Sequence, residues 1–207
     1  MEDLVAAQET KNTIPLWLAV AITVCVSLPF SIWLGNYAIP IWASFIVWAE
    51  YFAMGATPSA LKIIVPAYIL GVLVAAIIMT AYMLLSSAMG TGSVVTVGEW
   101  SFTLNNVALF ITCFVGFCFF IYAMKWFPVT QAGTLPFFNG ISMGLAVFFT
   151  GAFMKAAPEG IDANLLPAVA AVGAILAGLL GAFLGWFNVV ILFPRPVHSA
   201  TPVAKAA

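Results

Sequence analysis

Charged residues are scarce in this sequence. Only 6% of its 207 residues are Asp, Glu, Lys or Arg, whereas 64% are hydrophobic. A soluble domain carries about a quarter charged residues, because its surface must interact with water. The composition therefore excludes a soluble globular protein. It predicts an integral membrane protein whose main partner is the lipid bilayer.

The sequence also has few of the residues that build metal centres and active sites. Its one histidine, His198, lies in a polar segment, and Cys25, Cys113 and Cys118 lie inside apolar segments without metal-ligand spacing. Catalysis inside a membrane needs a nucleophile with a base, or a set of metal ligands. We therefore expect no metal, no cofactor and no enzymatic activity. The net charge of −1 makes nucleic acid an unexpected partner.

Six apolar segments approach or exceed the length of about 20 residues that a helix needs to cross a bilayer. The second segment is short, and the third and sixth are long. The segments are Pro15–Leu34, Pro40–Met54, Pro58–Ser86, Asn105–Lys125, Leu135–Met154 and Leu165–Phe193.

These segments predict an all-α integral membrane protein with six transmembrane helices over residues 14–193. Residues 1–13 and 194–207 are expected to be cytoplasmic segments, and residues 87–104 an external loop. If the N-terminus is cytoplasmic, Lys155 is the only basic residue on the outer side. Such a bias indicates that both termini are cytoplasmic. The basic residues then placed inside are Lys11, Lys62, Lys125, Arg195 and Lys205.

The two halves of the chain share a weak pattern. A short aromatic segment and a glycine-containing turn precede Pro66 and Gly71 in the first half, and Pro167 and Gly173 in the second. A repeat of three spans would place the halves in opposite orientations. Such 3+3 inverted repeats are common in transporters, with the solute site between the halves. The alternative is that two polytopic halves share Gly, Pro and Phe by composition alone.

Glu50 is the one carboxylate inside an otherwise uninterrupted apolar run. An ionisable group within a membrane is costly and is therefore a candidate functional residue. Glu50 could act as a gate, a proton acceptor or a solute contact. Alternatively, it could form an interfacial ion pair with Lys62 across the Gly55–Pro58 turn and fix that helical hairpin.

Asn139 is a second polar residue, early in the fifth segment. It could bind a neutral solute, or its amide could bond a neighbouring helix or a carbonyl that Pro136 leaves free. Ser44 and Tyr51 are further polar positions near Glu50. The predicted substrate-binding or gating residues are therefore Glu50, Lys62, Asn139, Ser44 and Tyr51.

Small residues recur at helical spacing in the last two segments. Such faces allow close helix approach, either within one chain or between protomers. They predict helix packing and, together with the small size of the chain, a homo-oligomer. The residues are Gly140, Gly144, Ala174, Gly181 and Gly185.

Two short motifs carry a resemblance to a known family. One runs from Trp42-Ala43-Ser44-Phe45 to Tyr51-Phe52-Ala53. The other runs from Leu135-Pro136 through Gly140 and Gly144 to Phe148-Phe149. The chain resembles the YcdZ-like small bacterial inner-membrane proteins, grouped as domain of unknown function 1097. The resemblance implies a compact multi-span protein of the bacterial inner membrane. It implies no catalytic or binding residue.

The pattern as a whole favours a small transporter or channel for a small neutral or weakly acidic solute, passive or ion-coupled. The alternative is a non-transporting scaffold or accessory subunit that packs on partner helices. One observation separates the two. Transport is favoured if Glu50 and Asn139 face one internal cavity, and the scaffold is favoured if neighbouring side chains seal both.

Overall fold

The computed structural model describes residues 10–35, 39–91, 104–192 and 194–196. Over these residues the chain forms helices and one short pair of strands. In chain order the elements are β1 (Thr10–Asn12), α1 (Leu16–Gly35), α2 (Ile41–Ala53), α3 (Pro58–Ala88), α4 (Leu104–Ala123), α5 (Pro128–Ala132), α6 (Thr134–Thr150), α7 (Leu166–Ile191) and β2 (Pro194–Pro196).

The helices establish a membrane protein. Helices α1, α3, α4 and α7 are long and apolar enough to cross a bilayer, whereas α2 and α6 are shorter apolar helices. All six lie within a few residues of the predicted segments. The short helix α5 and the strands β1 and β2 were not predicted, so the all-α prediction is correct for the membrane region and incomplete at the chain ends. The expected external loop falls largely on residues outside those described.

The turn between α2 and α3 shows how local sequence sets the element boundaries. Gly55 has a φ of 90° and Ala56 a φ of 54°, a backbone region that glycine adopts without cost. The Thr57 hydroxyl then accepts a hydrogen bond from the Ala60 N–H at 3.4 Å, and Pro58 occupies the first turn of α3. Threonine at the cap and proline directly after it are typical of a helix start.

The core of the molecule consists of α2, α3, α6 and α7. Helix α3 packs most extensively on α6, α2 packs on α7, and α3 and α7 contact each other between these pairs. Helix α4 lies against α3, and α1 lies against α7. These two outer helices expose large apolar side chains, including Trp17 at 71% and Phe114 at 74% exposure. Such surfaces suit contact with lipid.

The two ends of the described chain meet in an antiparallel ladder. Strand β1 pairs with β2, with Lys11 opposite Arg195. The N–H groups of Thr13 and Ile14 both donate to the Leu192 carbonyl, at 3.0 and 3.3 Å. Paired strands lie on the same side of a membrane. The chain between them therefore crosses a bilayer an even number of times.

Candidate functional site

The predicted polar residues Glu50 and Asn139 lie in direct contact. The Asn139 Nδ2 donates to the Glu50 Oε1 at 2.5 Å. Glu50 is only 2% exposed, and its second oxygen, Oε2, is buried without a hydrogen-bond partner among the described residues. A buried carboxylate with one unpartnered oxygen is costly for a fold. This combination singles out the contact as the candidate site.

Local sequence explains why the two side chains meet. Glu50 lies in the last turn of α2 on the same face as Ala43 and Val47, which are also buried. Asn139 lies in the second turn of α6 and is half-buried. Pro136 lies in the first turn of α6, where N–H groups have no intrahelical partner in any case. The helix is thus continuous there, and Asn139 bonds to α2 and not to a freed carbonyl.

Lys62 does not join this site. It lies in the first turns of α3, and its side chain is exposed. Glu50 points instead into the interior, where its Oε1 is bonded to Asn139. The predicted Glu50–Lys62 ion pair is therefore wrong, because the α2–α3 turn directs the two side chains to different environments. Lys62 thus lies on the exposed side of the α2–α3 hairpin.

Ser44 and Tyr51 lie on the neighbouring face of α2, which packs on α7. The Ser44 hydroxyl donates to the Ile41 carbonyl of its own helix at 2.6 Å, and the Ser44 backbone lies against Gly181. The Tyr51 ring lies against Gly185, and its hydroxyl is buried without a hydrogen-bond partner within the described chain. The structure brings these two residues to a packing surface, one helix face away from the Glu50–Asn139 contact.

Tyr68 of α3 is a site residue that the sequence analysis missed. Its hydroxyl donates to the Ala174 carbonyl of α7 at 3.2 Å, its ring covers Gly178, and it lies close enough to Glu50 for an electrostatic interaction. Tyr68 thus fastens α3 to α7 beside the buried carboxyl. A buried tyrosine two residues after Pro66 in an apolar run was the available signal.

A second polar contact was also missed. The Asn188 Nδ2 of α7 donates to the Thr23 Oγ1 of α1 at 2.8 Å, and the Thr23 hydroxyl donates to the Ala19 carbonyl at 2.9 Å. Both side chains are fully buried. Asn188 is the only amide side chain in α7, which could have marked it as Asn139 was marked.

Comparison with known proteins identifies the family. The family described as "Protein of unknown function (DUF1097)" matches residues 17–192. The chain belongs to the DUF1097 family. No curated protein and no solved structure matches it. The family resemblance drawn from the two motifs is confirmed. Because the family's description assigns no activity, the function of this DUF1097 protein has to be inferred from its own residues.

The small residues of this DUF1097 chain lie at helix contacts inside the molecule. Gly140 lies against the Tyr68 carbonyl and Gly71, and a Cβ added at Gly144 would lie 2.7 Å from the Ala75 Cβ. Gly181 and Gly185 face α2 in the same way, and Ala174 is fully buried. All five predicted packing residues are thus used within the chain.

In this DUF1097 fold the Glu50 carboxyl is buried, whereas Asn139 beside it is only half-buried. Neither residue lines any of the four described cavities. The central gap between α3, α6 and α7, lined by Val72, Gly144 and Phe148, leaves no volume for a water molecule. A larger cavity of about 240 Å³ between α3, α4 and α6 is apolar. The Glu50 carboxyl is thus enclosed by protein in this conformation.

No three His, Cys, Asp or Glu residues in the described part of this DUF1097 chain form a group that could hold a metal ion. The site therefore consists of one carboxyl group, one carboxamide and the tyrosine beside them. Such groups can exchange protons and form hydrogen bonds.

Proposed function

We propose that this protein is a transporter or channel of the bacterial inner membrane for a small neutral or weakly acidic solute. In this proposal six helices cross the bilayer, both termini are cytoplasmic, and Glu50 and Asn139 form the gate or solute contact. The observation that carries the proposal is the buried Glu50 carboxyl, of which one oxygen is bonded to Asn139 and the other has no hydrogen-bond partner among the described residues. A group so costly to bury within a membrane is a functional candidate by default.

Equivalent contacts in the two halves support an inverted repeat. Gly71 of α3 lies against the Phe137 carbonyl and Gly140 of α6, and Gly181 of α7 lies against the Ser44 backbone of α2. Each long helix thus meets the short helix of the other half at a glycine. Ser44 and Gly140 are separated along the chain by the same number of residues as the turn glycines Gly55 and Gly151.

The outer helices follow the same correspondence. Ile78 of α3 packs against Gly116 of α4, and Asn188 of α7 bonds Thr23 of α1. Ile78 and Asn188 are separated by the same number of residues as Gly71 and Gly181. These contacts support a repeat in which three helices of the first half correspond to three of the second. In inverted-repeat transporters the solute site lies between the halves, and the contact of Glu50 on α2 with Asn139 on α6 would join the two proposed halves.

The burial of Glu50 implies that transport requires movement. Because Glu50 is 2% exposed, a solute reaches it only when α2 and α6 separate. Rocking of one repeat against the other around a central site is the usual form of such movement. Breaking the Asn139–Glu50 hydrogen bond would be the local event that opens the site.

The proposal is tested by measuring solute flux into proteoliposomes. Stopped-flow recordings would cover water, urea, ammonia, glycerol and short carboxylic acids. The compared proteins are the wild type, Glu50→Gln, and the matched control Glu159→Gln, which changes an exposed acid in a loop. We expect one solute to cross faster than in empty liposomes, with the rate altered by Glu50→Gln and not by Glu159→Gln.

The second candidate function is a scaffold or accessory subunit that packs on partner helices. The observation that favours it is the burial of Glu50, which lines none of the four described cavities. Rates equal to those of empty liposomes for every solute, with correctly folded protein, would favour the scaffold over transport. The next experiment would then be the search for a partner subunit.

Association into a homo-oligomer is a separate proposal. The small-residue faces that suggested it pack inside the chain, so an oligomer would use exposed apolar surfaces such as those of α1, α4 and α7. Chemical cross-linking in native membranes tests this directly. A ladder of dimers or larger species is expected, and monomers alone would remove the proposal.

A further inference from the structure

We propose that the Glu50 Oε2 holds an exchangeable proton and that this proton is the coupling ion of the transport cycle. The coupling role rests on the proposed function, whereas the proton site does not depend on it. The observations are that the Glu50 carboxyl is 2% exposed, that its Oε1 accepts a hydrogen bond from Asn139, and that Oε2 has no hydrogen-bond partner in the described chain.

Among the described residues, the buried Glu50 carboxyl has no cation beside it to balance a negative charge. An ionised carboxylate buried in an apolar region needs a neutralising cation. Helices α6 and α7, which pack on α2, contain no titratable residue. From α1 the only titratable group is Cys25, which is exposed. Helix α3 contributes Lys62, which is exposed, and Tyr68 and Tyr82, which like Tyr51 of α2 have phenol side chains that cannot carry a positive charge. No cationic side chain in the described chain therefore neutralises Glu50.

The groups around Glu50 also determine whether a metal cation or a proton suits the site. A metal cation of the size of Na⁺ would need several oxygen atoms around it, and an amide N–H repels it. The atom that faces Oε1 is the Asn139 Nδ2, a donor. A carboxylic acid fits this surrounding, because Oε1 accepts from Asn139 and Oε2 carries the hydrogen. The buried pair is then neutral, which removes most of the cost of burial.

The proton on Glu50 exchanges with water when the site opens. When α2 and α6 separate, a water molecule reaches Oε2, the O–H bond breaks heterolytically, and the proton passes to the water oxygen while the electron pair remains on Glu50. The carboxylate is then hydrated and open to the solute path. Closing α2 on α6 again requires a proton from water on the side to which the site is open. Each closure without another cation in the site thus carries one proton.

The proton site is tested by infrared spectroscopy of the full-length protein in nanodiscs at neutral pH. The readout is the C=O stretching band of a protonated carboxylic acid and its shift in D₂O. We expect the wild type to show this band, Glu159→Gln to keep it, and Glu50→Gln to lose it. In Asn139→Leu the band should remain but shift, because the hydrogen bond to Oε1 is lost. The Asn139→Leu spectrum keeps the test decisive if Glu50→Gln folds poorly.

Three results would overturn the proton site. One is the absence of the band in the wild type. A second is a band that Glu50→Gln leaves unchanged, and the third is a band that Na⁺ removes at constant pH, which would make the site a sodium site. Coupling is tested separately with a pH-sensitive dye inside proteoliposomes. Solute flux without proton flux would overturn coupling while leaving the transport proposal intact, whereas the band without any solute flux would contradict transport and leave the proton site standing.

Discussion

At the scale of single residues, the proposed gate and the proposed proton site both depend on the Glu50–Asn139 contact. Each residue could be predicted from the sequence, because each is a polar residue in an apolar segment. Their pairing could not be predicted, since it depends on how α2 and α6 pack across the molecule. Local proximity favoured Lys62 as the partner of Glu50, but the turn at Gly55 and Ala56 leaves Lys62 exposed.

Removing the amide of Asn139 should destabilise the protein. Asn139→Leu leaves both Glu50 oxygens buried without partners, and a buried acceptor that loses its donor costs about 1–3 kcal/mol. The control is Ser142→Ala one turn further along α6. The Ser142 side chain is exposed and bonds only its own helix, at the Phe138 carbonyl. Reversible unfolding in mixed micelles should show a lower free energy of unfolding for Asn139→Leu than for Ser142→Ala.

A double-mutant cycle decides whether this cost comes from the contact. If Glu50 is first changed to Leu, Asn139→Leu should lose most of its effect, with a coupling of about 0.5–3 kcal/mol. Additive effects of the two substitutions would mean that Asn139 supports α6 in some other way. The Asn139–Glu50 hydrogen bond would then not be the contact that holds the proposed gate shut.

At the scale of helices, close backbone approach holds the long and short helices together. At Gly71 an added Cβ would overlap the Phe137 carbonyl oxygen and lie 2.8 Å from the Ile141 nitrogen. Both are backbone atoms, which cannot turn away as a side chain can. The α3–α6 contact therefore depends on the absence of a side chain at this position.

The substitution Gly71→Ala should consequently separate α3 from α6. We expect a loss of about 1–3 kcal/mol or more in the free energy of unfolding, as for an overpacked core. Gly35→Ala is the matched control, because an added Cβ at Gly35 meets nothing within 4 Å. Thermal unfolding in nanodiscs should separate the two variants clearly. Equal stability would show that the two helices can move apart at little cost, which would contradict the tight packing described above.

The sequence predicts these elements unequally well. The six apolar segments are predictable because proline and glycine mark their ends, as Thr57-Pro58 does for α3. Helix α5 is short and lies between two apolar segments, so hydropathy does not reveal it. The β1–β2 ladder joins Thr10–Asn12 to Pro194–Pro196. Pairing of segments so distant in the chain leaves no periodic pattern to recognise.

At the scale of the whole molecule, the ladder constrains topology independently of charge. Strands β1 and β2 lie on one side of a bilayer because they are hydrogen-bonded to each other. The bias of Lys and Arg, with Lys155 alone on the other side, predicts that this side is cytoplasmic. The strand pairing and the distribution of Lys and Arg are independent observations. A single labelling experiment can therefore test both.

That experiment places single cysteines in a chain whose native cysteines, Cys25, Cys113 and Cys118, are replaced by alanine. Spheroplasts are treated with a membrane-impermeant maleimide before or after permeabilisation. We expect Asp3→Cys and Lys205→Cys to react only after permeabilisation, and Ser93→Cys in the predicted external loop to react before it. Reaction of Asp3→Cys and Lys205→Cys on opposite sides would contradict the ladder and an even number of crossings. Reaction of both from outside would keep the ladder and reverse the orientation, which would place the Glu50 end of α2 at the outer face.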